Sequence, residues 1–425
     1  MERYDSYKDS GVEWIGEIPT NWKSKRFSYS IDIQKGKIPK NLTDEKLVDS
    51  LPYLSMGVLR GDKPKEFSNE SGIVHVSKGD IGLLWDGSNS GEVIRINREG
   101  ILSSTVSLLS LKDDSIDKEF CFYLLKFYEN DFRENTIGMG IPHVSGDHVR
   151  ESKLIIPTFS EQQQIVSFLD TKNSLIDSLI EKTQRKIELL KEKRTSLINE
   201  LVTKGLNPNV EMKDSGVEWI GEIPSHWEFV RIGHLNRVVR GGSPRPSGDP
   251  RFFNGDFIHW ITVKDITSKT GKYVTTTDTK LTEEGMKQSR VLEPETLVLT
   301  NSGVTLGIPG ILKIRGCIND GSVSFLDMSP KIERDYLYYF WTTQTELLLE
   351  QQSGYGQPNL NIEIVSNVRF PLPPLSEQQQ IVEYLDEHTQ LIDKTTSIEE
   401  KRIELLKEYR QSLISEVVTG KRKVV

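Results

Sequence analysis

Residues 237–256 read RVVRGGSPRPSGDPRFFNGD, setting Arg237, Arg240, Arg245 and Arg251 among Gly, Ser and Pro, with Phe252 and Phe253 behind them. A guanidinium fork suits phosphate oxygens or the O6/N7 edge of guanine, and glycine lets backbone N–H groups come close to a ligand. Ser243 adds a short hydroxyl in the same loop, and Gln357 and Asn359 add amide groups further on. Lys35, Lys37 and Lys40 stand in register with this loop in the first half of the chain. These ten side chains are the candidate DNA-binding set.

Chemistry of other kinds finds no residues to carry it. The chain has no [ND]-P-P-[FYW] motif for amino-methylation of a base and no G-x-x-x-x-G-K-[ST] phosphate loop. Acid-x-Lys triplets occur at Asp44–Lys46, Asp170–Lys172 and Asp278–Lys280, as expected by chance in a highly charged chain. None has a second matched acid, so neither a catalytic centre nor a metal site is expected. His143 and His148 have no histidine counterparts in the second half and read as core or surface residues. Two isolated cysteines, Cys121 and Cys317, cannot build a tetrahedral zinc site and suit a reducing cytoplasm. The N-terminus has no apolar signal region, and no apolar run is long enough to span a membrane. A net charge of −8 argues mildly against a monomeric, non-specific nucleic-acid binder. Local basic loops remain compatible with it.

The elements that must position the loops come from an internal duplication of a 425-residue chain. KDSGVEWIGEIPTNW (8–22) returns as KDSGVEWIGEIPSHW (213–227), an offset of 205 residues. PTFSEQQQIVSFLD (157–170) returns as PPLSEQQQIVEYLD (373–386), and KIELLKEKRTSLINELV (186–202) as RIELLKEYRQSLISEVV (402–418), both at 216. The frame segments are nearly identical, whereas the interiors, from about 41 to 119 in the first half, have diverged. Two readings fit: loop drift on a duplicated scaffold, or halves that keep one mounting and each recognise something different.

Ser160-Glu-Gln-Gln163 and Ser376-Glu-Gln-Gln379 read as capping boxes opening two long helices, with Gly205 and Gly420 as their stops. One stripe carries Ile165, Leu169, Ile176, Leu179, Ile187, Leu190, Leu197 and Leu201; the other carries Ile381, Leu385, Ile392, Ile398, Leu405, Leu406, Leu413 and Val417. Spacings of mostly 3, 4 or 7, with a slip near 183–187, predict an antiparallel coiled coil containing a stutter. Phe120–Phe127 and Tyr336–Trp341 read as one matched aromatic helix whose rings are core.

Together these features resemble the specificity (S) subunit of type I restriction–modification enzymes over nearly the whole chain. The carriers are the paired GVEWIGEIP-x-x-W entries, the paired P-x-x-S-E-Q-Q-Q-I-V helix starts, the paired IELLKE-x-R helices and the G-L-N-P-N link at 205–209. The Gly-Gly-Ser-Pro loop followed by Phe252–Phe253 and Trp260 is similar to that family's second recognition domain; GKIP in the first half departs from the pattern. The resemblance implies an α+β fold. Two mixed α/β target recognition domains would be separated by an antiparallel coiled coil of two long helices and related by a pseudo-twofold repeat. Residues 1–156 would form the first recognition domain with its N-terminal segment and 157–206 the first long helix. Residues 207–372 would form the linker and second recognition domain, and 373–425 the second helix and basic tail.

The implied function is non-catalytic: reading a bipartite, asymmetric double-stranded DNA target in the prokaryotic cytoplasm. Two methyltransferase subunits would dock on the helices, with Ile187, Leu190, Arg194, Leu197, Ile403, Leu406, Arg410 and Leu413 as candidate docking residues. Restriction subunits would join through them. S-adenosylmethionine, ATP and Mg would belong to the partner subunits and no cofactor to this chain. The alternatives are the recognition subunit of a related system that cuts on both sides of its site, or a coiled-coil adaptor without sequence specificity.

Overall fold

A computed structural model describes residues 3–138, 140–268, 271–301, 305–345 and 360–424. Two compact units emerge: residues 1–184 with 400–425, and residues 185–399. Cutting the chain by element at 156, 206 and 372 separates helices from domains. The compact units instead take one recognition domain each, plus part of each long helix.

In the first unit a stem of two antiparallel strands, Lys23–Arg26 and Lys153–Ile156, closes the recognition domain. Between them, one antiparallel sheet runs in the order Ile31–Lys35, Val106–Leu111, Ile81–Leu84, Val93–Arg95. A second runs Phe67–Ser68, Leu51–Leu54, Gly100–Leu102, His75–Val76, with one parallel pair, Gly100–Leu102 on Leu51–Leu54. The second unit repeats the plan. Its stem is Glu228–Arg231 on Arg369–Leu372, and its sheets have five and four strands. The fifth strand, Tyr273–Val274, pairs parallel to Pro309–Leu312 and has no counterpart among the described residues of the first unit.

The matched aromatic helices are Lys118–Glu134 and Arg334–Thr342. Phe120, Tyr128 and Phe132, and Tyr336, Phe340 and Trp341, are fully buried, as expected of core. Each recognition domain also buries helix ends. Ile165 and Leu169 with Leu413, Val417 and Val418 complete the first core. Ile198, Leu201 and Val202 with Ile381 and Leu385 complete the second.

The long helices are Phe159–Lys204 and Leu375–Val418, 46 and 44 residues. At about 1.5 Å per residue each exceeds about 60 Å. Gly205 and Gly420 take the left-handed conformation that ends them. They run antiparallel within each unit. In the first, Arg410 pairs with Asp177, and the Arg422 guanidinium lies 5.4 Å from the Phe168 ring centre. In the second, Lys186 meets Glu399 at 2.6 Å and Arg194 meets Asp393 at 2.9 Å.

Two local expectations are corrected. The helices begin before the serines, at Phe159 and Leu375, so Ser160 and Ser376 lie inside the first turn. Thr158 is the cap of the first helix: its hydroxyl oxygen accepts from the Glu161 N–H, and its own N–H donates to the Glu161 carboxylate. Proline stands directly before Leu375, so the second helix has no such side chain. The seam also differs from the expected stripe. Ile398 and Leu405 are exposed, while Glu399 is buried against Lys186. The inward phase passes through Ile392, Glu399, Leu406 and Leu413, so the expected stripe holds except at Ile398, whose place Glu399 takes, and at Leu405, which turns outward.

The duplicated motifs fasten the helix starts to the domains. The Trp22 and Trp227 indole N–H groups donate to Glu161 and Glu377. Gln162 and Gln378, both fully buried, act as brackets. Gln162 accepts from the Asp117 N–H and donates to the Ser115 and Pro157 carbonyls. Gln378 accepts from the Glu333 N–H and donates to the Lys331 and Pro373 carbonyls. Each glutamine amide is satisfied on both sides, which a buried polar group requires.

Candidate nucleic-acid interface

The two cationic loops leave their sheets in the same way. Gly36 and Gly241 are pressed onto the next strand connection so closely that an added Cβ would sit 2.1 Å from the carbonyl oxygens of Ser103 and Asn319. No side chain fits there, which explains why Lys-Gly and Arg-Gly persist in interiors that otherwise diverge. Pro39 and Pro244 are buried three residues on. The loops are therefore held at both ends; between them Lys37 and Ile38 are exposed, and Gly242 and Ser243 are half-buried.

In the second domain Arg240, Ser243 and Arg245 converge on Asp320, in the turn after strand Gly316–Ile318. The Ser243 hydroxyl donates to one Asp320 carboxylate oxygen at 2.7 Å and Arg245 to the other at 3.0 Å. Arg240 Nε donates to the Asp320 carbonyl at 2.8 Å. A third segment joins them: Arg290 donates to the Arg240 carbonyl, and the Gln288 amide oxygen accepts from the Arg245 N–H. Arg237 lies three residues away along its strand, about 10 Å, and is paired with Asp327. Arg251 is held by its neighbour Asp249 and covers the Phe252 ring. Neither is brought to the Asp320 cluster.

In the first domain Lys35 Nζ lies 2.8 Å from one Asp86 oxygen, and His143 Nδ1 lies 2.6 Å from the other. Backbone bonds hold the three segments together. Gly36 N–H donates to Val106, Gly87 N–H to Pro142 and Val144 N–H to Trp85. Lys37 and Lys40 are exposed, and the Lys40 N–H donates to Glu70. Gln357 and Asn359 lie outside the described residues.

Both carboxyls titrate below the ordinary value. At Asp86 burial pulls the carboxyl up, but hydrogen bonds from Lys35 and His143 outweigh it. At Asp320 the Ser243 hydroxyl is the main cause, against a smaller opposing effect of burial and with help from Arg245. Both acids are thus charged at neutral pH and neutralise the cations around them.

Asp86, Asp320, Gln288 and Arg290 were not among the residues singled out from sequence. They lie tens of residues from the loops, and only strand pairing brings them near. His143, read as core or surface, is on the surface beside Lys35. Among the described residues no group of three or more His, Cys, Asp or Glu side chains could hold a metal ion, and no helix is long and apolar enough to cross a membrane.

The helix residues proposed for docking are turned inward. Ile187 and Leu413 are buried; Leu190, Leu197, Ile403 and Leu406 are half-buried. Arg194 and Arg410 are engaged by Asp393 and Asp177 of the antiparallel helix. The two arginines tie the antiparallel helices together, Leu413 lies in the first domain's core and Leu197 packs against the second. Outward apolar positions that recur in both units are Leu175 and Leu405 in the first, 55% and 52% exposed, and Leu391 and Leu189 in the second, 63% and 48% exposed; Ile398 and Tyr409 are exposed as well.

Two matched units each mount a cationic loop on a sheet, the arrangement expected of a protein that reads DNA sequence. The type I restriction modification DNA specificity domain matches residues 19–190 and 224–408, and the chain belongs to that family. It is 30% identical over 420 residues to the type I restriction enzyme MjaVIII specificity subunit of Methanocaldococcus jannaschii, covering 96% of this chain and 94% of that one. The EcoBI specificity subunit of Escherichia coli is 22% identical, with 92% and 84% covered. Among solved structures, the HsdS subunit from Thermoanaerobacter tengcongensis superposes with a TM-score of 0.52 at 17% identity, over 95% of this chain and 98% of that one. A chain from work on complex assembly and conformational transition of the type I R-M system gives 0.73 at 18%, over 95% and 99%.

Proposed function

We propose that this specificity subunit reads a bipartite, asymmetric duplex target, one half-site per recognition domain, and docks two copies of one methyltransferase subunit. Restriction subunits join through those partners. The chain contributes recognition and no chemistry of its own; S-adenosylmethionine, ATP and Mg are supplied by the partners, in the prokaryotic cytoplasm. The observation that carries the reading is the pair of loops at Gly36 and Gly241. They share a mount that excludes any side chain, yet present lysines in one domain and arginines in the other. A fixed mount with different contents is what reading two different half-sites requires. Methylation mapping in cells carrying this chain with its partner tests it: one split, asymmetric motif is expected, and scattered or absent methylation would overturn it.

Arg245 gives a sharper test. If its guanidinium takes a guanine edge, Arg245→Ala weakens target binding by about 1–3 kcal/mol and relaxes one position. If it takes only phosphate, the loss is equal on all sequences and the salt slope falls by about one. Binding isotherms on target and scrambled duplexes at several salt concentrations distinguish the two.

Docking of equal partners is supported by equal surfaces. Leu175 and Leu405 in one unit correspond, at the repeat offset of 216, to Leu391 and Leu189 in the other. The double change Leu175→Glu, Leu405→Glu is expected to reduce a complex with two methyltransferase subunits to one with a single subunit, read by native mass spectrometry. Retention of both would remove this surface from the interface.

A further inference from the structure

Each recognition domain pairs one carboxylate with a cation at its loop, Asp86 with Lys35 and Asp320 with Arg245. Asp86 and Asp320 do not occupy matching positions: the repeat offset aligns Asp86 with Ser302 and Asp320 with Ser104. One sits after strand Ile81–Leu84, the other after strand Gly316–Ile318. Two diverged interiors therefore reach the same juxtaposition from different strand ends. Loop drift gives no reason for that, and phosphate binding gives a reason against it, because a fixed anion beside the cations repels the backbone.

A base-pair edge differs from phosphate in this respect. Phosphate offers only acceptors and negative charge. In the major groove guanine offers the acceptors O6 and N7, while cytosine N4 and adenine N6 offer amino donors. A cation beside a carboxylate matches such an edge, the cation taking the acceptors and the carboxylate the amino group. The carboxylates have capacity for this. Each oxygen of Asp320 takes one described hydrogen bond, from Ser243 or Arg245, and each oxygen of Asp86 is paired once, with His143 or Lys35. An ionised carboxylate has about four acceptor sites. Both side chains also reach solvent, Asp320 more than Asp86.

We infer that Asp86 and Asp320 are specificity-determining residues, each accepting a base amino group beside the loop cations while its charge keeps the phosphate backbone off those cations. This rests on the reading of the chain as a sequence-recognition subunit. It assigns part of the specificity to repulsion, which suppresses wrong partners as effectively as attraction selects the right one.

The test uses the full chain assembled with its methyltransferase subunits, with Asp320→Asn and, separately, Asp86→Asn. Asparagine keeps the shape and removes the charge. Affinity for scrambled duplex is expected to rise about tenfold and its salt slope to steepen by about one unit, as one more cation meets phosphate. Affinity for the target should not rise in step, so discrimination falls about tenfold or more, at one half-site for each variant. Equal losses on target and scrambled duplex would make the carboxylate a loop support only and overturn the proposal. So would unchanged affinities and slopes. The two domains are separate tests, so a fold lost in one variant leaves the other decisive. Selectivity in the parent complex with no change in the variants overturns this proposal alone; a parent complex without selectivity overturns the functional reading as well.

Discussion

Grafting residues 27–152 of a differently specific relative into this chain is expected to abolish recognition of one half-site and leave the other unchanged. The boundaries follow from the stem strands Lys23–Arg26 and Lys153–Ile156, which close the domain and remain in place. A graft limited to the diverged interior, 41–119, would carry Asp86 but separate it from Lys35 and His143, which the structure places on its two oxygens. The whole set must move together. At about 1–3 kcal/mol per mismatched base pair, a half-site misread at two positions loses roughly 30-fold to 20,000-fold in affinity. Methylation mapping would show the old half-site joined to a new one. A motif altered on both sides would mean that the domains do not read independently.

Lys272→Ala is expected to destabilise the second unit by about 3 kcal/mol. Lys272 lies beside the added strand Tyr273–Val274 and is mostly buried. Its ammonium lies 2.5 Å from Asp335 on the aromatic helix and 2.7 Å from Asp386 on the long helix. Tyr339 donates to the same Asp386. The first unit keeps Tyr123 on Asp170 at the matching positions but has no such lysine; Arg95 pairs with Glu119 instead. Removing one partner of a buried ion pair costs about 3–5 kcal/mol, because the remaining charge is left uncompensated. Arg334, 2.6 Å from the other Asp335 oxygen, limits the loss to the lower part of that range.

The pH dependence identifies the cause. Burial pulls the Asp335 carboxyl up, but Lys272 and Arg334 outweigh it and hold it below the ordinary value. Burial pulls the Lys272 ammonium down, but the two carboxylates outweigh it and hold it above the ordinary value. The carboxylate's stabilisation is present above about pH 4 and is lost as pH falls through its folded value. The ammonium's is present below about pH 10 and is lost as pH rises through its folded value. Denaturant titrations should therefore show a constant gap between parent and variant from about pH 5 to 9, narrowing in acid as Asp335 takes up a proton. A gap unchanged in acid would assign the loss to packing of the lysine stem.

The duplication, both long helices, the aromatic core helices and the family could be read from residue order, because each rests on local repetition. Trp22 and Trp227, Gly205 and Gly420, and the cationic loops at Gly36 and Gly241 were visible for the same reason. What sequence could not supply was anything set by phase or by long-range pairing. The packing of the seam decided that Glu399 rather than Ile398 is buried, and that Leu175, Leu189, Leu391 and Leu405 face outward. Hydrophobic spacing measures period, whereas facing depends on where the partner helix sits. Asp86 and Asp320 lie 51 and 75 residues from the cations they hold, Lys35 and Arg245. No local pattern marks an aspartate in a strand turn; only the sheet order that brings the turn beneath the loop makes it part of the site.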